Sequence, residues 1–162
     1  MNVQERMKAA LRKFPAAVNV ITLRKANGEF VAITATAVTV ATLQPPTMLV
    51  CINRDSVFGQ ALQDAETLCI NALTQDQMEI SAVCAGAKPQ HEREACGNWR
   101  DVAGAPLLVD SQASFVCRKS EVITYGTHDL VLAEVLSVEN SEASAPLIYM
   151  DRAYGTFAGQ SA

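Results

Sequence analysis

Residues 31–58 read VAITATAVTVATLQPPTMLVCINRDSVF, and this run decides the fold. Its first part alternates strictly: Val31, Ile33, Ala35 and Ala37 share one face of an extended strand, with Thr34 and Thr36 on the other. The parity then flips, because Thr39 falls among the odd positions while Val38 and Val40 take the even ones. A one-residue slip of that kind predicts a β-bulge or sharp bend. Gln44-Pro45-Pro46 interrupts the run, and Met48 to Ile52 follows as a short apolar strand. That strand empties into Asn53-Arg54-Asp55-Ser56, where Ser56 is placed to cap a helix carrying Val57, Ala61, Leu62 and Ala65. A kinked strand of small residues beside a buried strand and a helix N-terminus suits a flat, phosphate-bearing cofactor. Small side chains let backbone groups approach a ring edge, and helix N-termini attract anions.

Working outward, Val3, Met7, Leu11 and Phe14 recur at helical spacing as far as Pro15, predicting a helix over 2–14. A strand over 16–24 follows, and Asn27-Gly28 predicts a type I′ hairpin joining it to a strand over 30–41. Strand 47–52, helix 56–65 and strand 68–73 come next. Thr74 with Gln77 is a capping-box pattern that opens a helix to about Cys84. Residues 85–106 are polar, centred on Lys88-Pro89-Gln90-His91-Glu92-Arg93-Glu94, and read as a long surface loop or short irregular helix. Strands over 113–124, 129–139 and 146–150 complete the chain. Strands without a βαβα rhythm argue against a doubly wound sheet and for an antiparallel barrel with flanking helices. A chain of 162 residues is expected to form one domain, 1–162.

No segment approaches the roughly 18 consecutive apolar residues of a membrane span. The N-terminus is too charged for a secretory signal, so the expected compartment is the cytoplasm. The five cysteines are odd in number and contain no C-x-x-C pair. Cys51, Cys69, Cys84 and Cys117 sit in apolar runs and read as small hydrophobes, whereas Cys96, in EACGNW, reads as an exposed thiol. Two histidines leave no ligand cluster at zinc spacing, so no metal site is expected. The net charge of −4 and scattered basic residues argue against a nucleic-acid surface. Neither G-x-G-x-x-G nor G-x-x-x-x-G-K-[ST] occurs.

The segments AAVNVITL (16–23), ITATAV (33–38), PPTMLVCINRDS (45–56), LCINAL (68–73) and YGTHDLVLAEV (125–135) resemble, in order, the short-chain flavin reductase family. The similarity extends to the reductase components of two-component flavin-dependent monooxygenases. It implies an FMN-binding split β-barrel of antiparallel Greek-key type, assembled as a homodimer with flavin near the subunit interface. It also implies NAD(P)H-dependent reduction of FMN or FAD, with NADH favoured over NADPH, and delivery of the reduced flavin to a separate oxygenase component.

Residue by residue, the resemblance places the flavin phosphate at Ser56, with Arg54 adding charge and Asn53 shaping the loop or bonding the ribityl chain. Thr34, Ala35, Thr36 and Ala37 would lie along the isoalloxazine edge. Many relatives carry Asn-Ser where this chain has Thr36-Ala37, which leaves ring contacts to the backbone. Cys51, Ile52, Val57 and Phe58 belong to the same cofactor-binding set. The family commonly has Gly-Asp-His after its hairpin strand. This chain keeps Gly126 and His128, has Thr127 for the acid, and places Asp129 next, on the opposite strand face. His128 is the catalytic candidate, beside the nicotinamide and flavin rings, and Tyr154 matches a C-terminal aromatic near the flavin.

Each of these residues also has a structural reading: a plain N-cap serine, strand threonines, a solvated turn histidine. Trp99 reads as a loop anchor and His91 carries no role. A non-catalytic flavin-binding protein of the same barrel type is the rival. A hydrolase using Ser56 or Cys96 lacks a base oriented by a third group.

Overall fold

A computed structural model describes residues 2–141 and 145–159. The elements are α1 (Val3–Leu11), β1 (Ala16–Ala17), β2 (Asn19–Arg24), β3 (Phe30–Ala35), β4 (Val38–Leu43), β5 (Pro46–Asn53), α2 (Val57–Asp64), β6 (Thr67–Ala72) and α3 (Met78–Ala82), continuing with β7 (Trp99–Val102), β8 (Ala105–Leu108), β9 (Ala113–Tyr125), β10 (His128–Asn140), β11 (Leu147–Met150) and β12 (Ala153–Thr156). Seven strands form one sheet in the order β3-β2-β6-β9-β10-β5-β4, antiparallel at every pairing. Its two edge strands, β3 and β4, are consecutive in the chain and joined only by Thr36-Ala37. The sheet must therefore curl until its edges meet at that kink, which is a mainly-β antiparallel barrel split along one seam.

The parity flip marks this bend. Ile33 and Ala35, odd-numbered, and Val38, even-numbered, all pack against the same core. At the kink the Val38 amide donates to Thr36 O and the Cys51 amide to Ala37 O, both at 3.0 Å. That core lies between the curled sheet and α2. Phe58, Ala61, Leu62 and Ala65 recur at helical spacing and meet Ile21, Leu23, Val31, Val50, Ile52, Leu68, Ile70 and Val131. Burial of a side chain such as Phe58 or Leu62 is worth about 1.5–3 kcal/mol. The other face of β2 is buried too, Val20 packing with Val18, Phe30, Leu73, Leu108 and Leu147. Beneath β8, the buried Asn71 amide donates to Val20 O, and its Oδ1 accepts from the Leu108 amide and Ser114 Oγ. A satisfied buried amide of this kind fixes which strands meet.

Four local expectations are corrected. The 25–28 turn is not type I′: only Gly28 has positive φ (86°), and its amide closes a tight turn on Lys25 O. That is the three-residue hairpin in which a glycine follows an ordinary turn. The strand expected over 16–24 breaks at Val18, whose amide turns to Leu147 O. Residues 99–108 form a hairpin, β7–β8, rather than loop, held to β2 where Arg24 bonds Asp101 through Nε and Nη2. The strand β12 pairs with β11 and lay outside the expected set. Helix α1 is capped by Asn2 and Glu5 as a capping box, yet none of its residues is buried.

Candidate functional site

The register of β5 and β10 sets His128 directly opposite Asn53. His128 follows a two-residue hairpin connection, Gly126-Thr127, in which Gly126 has φ 58°. This is the pattern that matches the twist of paired strands. The loop after β5 docks on that tip: the Arg54 amide donates to Thr127 O at 3.1 Å and Arg54 Nη2 to Gly126 O at 3.4 Å. Asn53 Oδ1 accepts from the Asp55 amide, tightening the loop. Ser56 caps α2, accepting from the Gly59 amide at 2.9 Å while donating to Asn53 O at 2.7 Å. Phosphate-loop candidates and histidine candidate, some 70 residues apart in sequence, thus form one surface.

His128 is exposed, and its Nδ1 lies 2.9 Å from Thr127 Oγ1. Asp129 does not orient the imidazole. It is buried on the other face, accepting from Thr124 Oγ1 (2.8 Å) and Gln63 Nε2 (3.0 Å), and so ties α2 to the strand bearing His128.

The kink forms the second half. Thr36 and Ala37 are exposed and line a cleft of about 550 Å3 with Leu11, Phe14, Tyr149 and Met150, fringed by Lys8, Arg12 and Arg152. Thr34 faces the other way, donating its hydroxyl to Ser81 O at 2.6 Å. Tyr154 OH lies 2.9 Å from Ser81 Oγ, so Thr34 and Tyr154 meet through one buried serine. Ala35 is half-buried against the core, as is Cys51 in the sheet. Ile52 and Phe58 point into the core, leaving only their backbone to a ligand, and Val57 is exposed on the first turn of α2.

A smaller cavity of about 270 Å3 joins Ile33 to Ser56, Val57 and Phe58 and is walled by Cys84, Gln90 and Arg93. Gln90 Nε2 is buried there with no hydrogen-bond partner among the described residues. The cap takes up the Gly59 amide, and a helix leaves its remaining first-turn N–H groups unbonded. An orphaned donor beside these groups fits an anion such as a phosphate. Arg93 lies in the polar run expected as a surface loop or short irregular helix. Instead its Nη1 donates to Ala32 O (2.7 Å) and Cys84 O (2.9 Å), taking up a carbonyl on the open edge of β3. Nothing in the local sequence announces that role. Trp99 is the anchor its loop requires, 5.0 Å from the Phe30 ring and donating to Glu94 O.

Cys69, Cys84 and Cys117 are buried, and desolvation pushes Cys117 up to about 12. Among the described residues no cluster of metal-ligating side chains occurs, and no helix is long and apolar enough to cross a membrane.

A curled antiparallel sheet with a helix N-terminus and a small-residue kink at its seam defines a split β-barrel. The chain belongs to the flavin reductase family of oxidoreductases, whose flavin reductase like domain matches residues 11–158. It is 38% identical over 146 residues to the FMN reductase (NADH) RutF of Pseudomonas syringae, covering 90% of this chain and 82% of that one. Its structure is similar to that of a Haemophilus somnus protein assigned as a flavin reductase, at 30% identity and TM-score 0.91, over 97% of this chain and 100% of the other. It is also similar to the flavin reductase HpaC complexed with NADP+, at 26% identity and TM-score 0.87, over 96% and 98% of the two chains.

Proposed function

We propose that this chain, acting as a single domain in the cytoplasm, transfers a hydride from NADH to FMN and supplies the reduced flavin to a separate oxygenase component. The observation that carries the reading is the meeting of the Asn53–Ser56 loop, the α2 N-terminus and His128 on one surface. The relative named FMN reductase (NADH) supports FMN and NADH over FAD and NADPH. Val57 and Phe58 offer backbone donors to the flavin phosphate, and Gln90 Nε2 would gain its missing acceptor there. Asn53 faces the ribityl chain, and the backbone of Thr36 and Ala37, unobstructed by side chains, faces the ring edge.

When bound, the flavin supplies the hydride acceptor. The protein's part is to hold the two rings face to face and exclude water, since misplacement by about 1 Å can cost on the order of a hundredfold in rate. His128, tethered to Thr127 at the tip, is placed to hydrogen-bond the nicotinamide amide, and Tyr154 closes the C-terminal side.

The open cleft beside Thr36-Ala37 supports a homodimer that completes the site. Val3, Met7, Leu11 and Phe14 of the α1 segment are 51–79% exposed, an apolar stripe that a second copy would cover. Steady-state oxidation of NADH and NADPH with FMN, FAD and riboflavin tests the activity; no nicotinamide consumed with any flavin overturns it. Light scattering at about twice 17.4 kDa is the expected mass, and a flavin-competent monomer refutes the dimer.

A further inference from the structure

Cys84 and Cys96 are twelve positions apart and show no redox motif in sequence, yet the fold brings them together. Cys84 lies in the turn over 83–87 that continues α3, and Cys96 ends the helical turn over 90–96. Arg93 fastens the two turns by donating to Cys84 O. Cys96 packs against the cluster that contains Cys84. Their exposures differ. Cys84 is 1% exposed, whereas Cys96 is half-buried and lines an open cleft of about 680 Å3 with Thr74, Gln77, Ile80, Asn98 and Asp110.

We propose that Cys96 is a peroxide-reactive thiol and that Cys84 resolves its oxidised form as an intramolecular disulfide. The cleft gives a small hydroperoxide access to Cys96 and denies it to Cys84. In the first step the Cys96 thiolate attacks hydrogen peroxide: an S–O bond forms, the O–O bond breaks, sulfur is oxidised to a sulfenic acid and hydroxide leaves. In the second, the Cys84 sulfur attacks the Cys96 sulfur, the S–O bond breaks, and the leaving hydroxide takes the Cys84 proton as water. Two thiols and one peroxide become one disulfide and two waters.

Electrostatics favour this order. The Cys84 S–H, followed by the Cys96 backbone N–H and Lys88, lowers the Cys96 thiol below its ordinary value. The same contact, together with burial, raises Cys84. Thiolate character and access together select the attacking sulfur. The other neighbouring pair, Cys69 and Cys117, has neither: both are buried and both are raised by desolvation.

The test uses the full chain and added hydrogen peroxide, so it does not depend on flavin turnover. The wild type should lose two of its five titratable thiols, and intact mass should fall by two hydrogens, restored by dithiothreitol. Peptide mapping should place the link between Cys84 and Cys96. Cys84→Ala should stop at a sulfenic acid on Cys96, trapped by dimedone, and Cys96→Ser should form no link. A wild-type chain that keeps five thiols, or links a different pair, overturns the proposal whether or not either variant folds.

Discussion

Gly59, on the first turn of α2, is where the site's geometry can be tested by adding one methyl. A Cβ at this position would stand 2.3 Å from Asn53 O and 2.9 Å from Arg54 O, where ordinary contact begins near 3.4 Å. The obstruction is backbone rather than the end of a flexible side chain, so the loop or the helix must retreat by about 1 Å, and overpacking of this kind costs about 1–3 kcal/mol. Alanine recovers up to about 1 kcal/mol of helix propensity. With the severity of the 2.3 Å contact setting the cost near its upper end, the net loss is about 2 kcal/mol. For a chain of this length that lowers Tm by about 4–8 °C. The same retreat drags Ser56 and the first-turn amides of α2 off the phosphate position. Loss of one charge-assisted hydrogen bond, roughly 1.5–3 kcal/mol, then weakens FMN by tenfold or more and leaves riboflavin nearly unchanged. Thermal unfolding and fluorescence titration of both flavins read the two effects separately. A Gly59→Ala protein with wild-type Tm and wild-type FMN affinity would refute the claim that helix and loop are pressed together around a phosphate.

Ser56→Asp should weaken FMN and FAD much more than riboflavin, because a carboxylate still caps α2 but repels the phosphate; equal weakening of all three places the phosphate elsewhere. His128→Ala should raise the NADH half-saturation of flavin reduction about tenfold, the worth of one hydrogen bond, with flavin affinity changed less. Stopped-flow kinetics unchanged in the folded variant would return His128 to a plain turn residue. Asp129→Ala removes the carboxylate that accepts from the Gln63 amide and the Thr124 hydroxyl, and urea unfolding should show a loss of about 1–3 kcal/mol.

What was legible in the sequence was whatever the chain encodes over a few consecutive residues. The parity flip at Thr36-Ala37 exposed the kink because side-chain alternation has no other way to change face. The Ser56 cap and the spacing of Val57, Ala61, Leu62 and Ala65 exposed α2 for the same local reason, although Phe58 rather than Val57 takes the buried face. The β7–β8 hairpin was not legible, because its outward residues, Arg100 and Asp101, read as loop and its strands are fixed by Arg24 and by the Trp99–Phe30 contact. The opposition of Asn53 and His128 was equally hidden, being a matter of register between distant strands. The resemblance named both residues, but only the β5–β10 pairing shows that they share a surface.

The seam explains why these residues gather where they do. The two residues that join the edge strands form a bend rather than a hairpin turn, so β3 and β4 do not pair with each other and the sheet stays open there. Edge strands carry unpaired backbone groups that need a partner. Arg93 takes one such carbonyl, at Ala32. The exposed kink at Thr36-Ala37 carries no comparable side-chain cover, and its small residues would block neither a ring edge nor a second subunit. The carbonyls of Thr36 and Ala37 are taken by the Val38 and Cys51 amides, so the break in side-chain alternation that keeps the barrel split is also what leaves the N–H groups of these two residues for the proposed flavin.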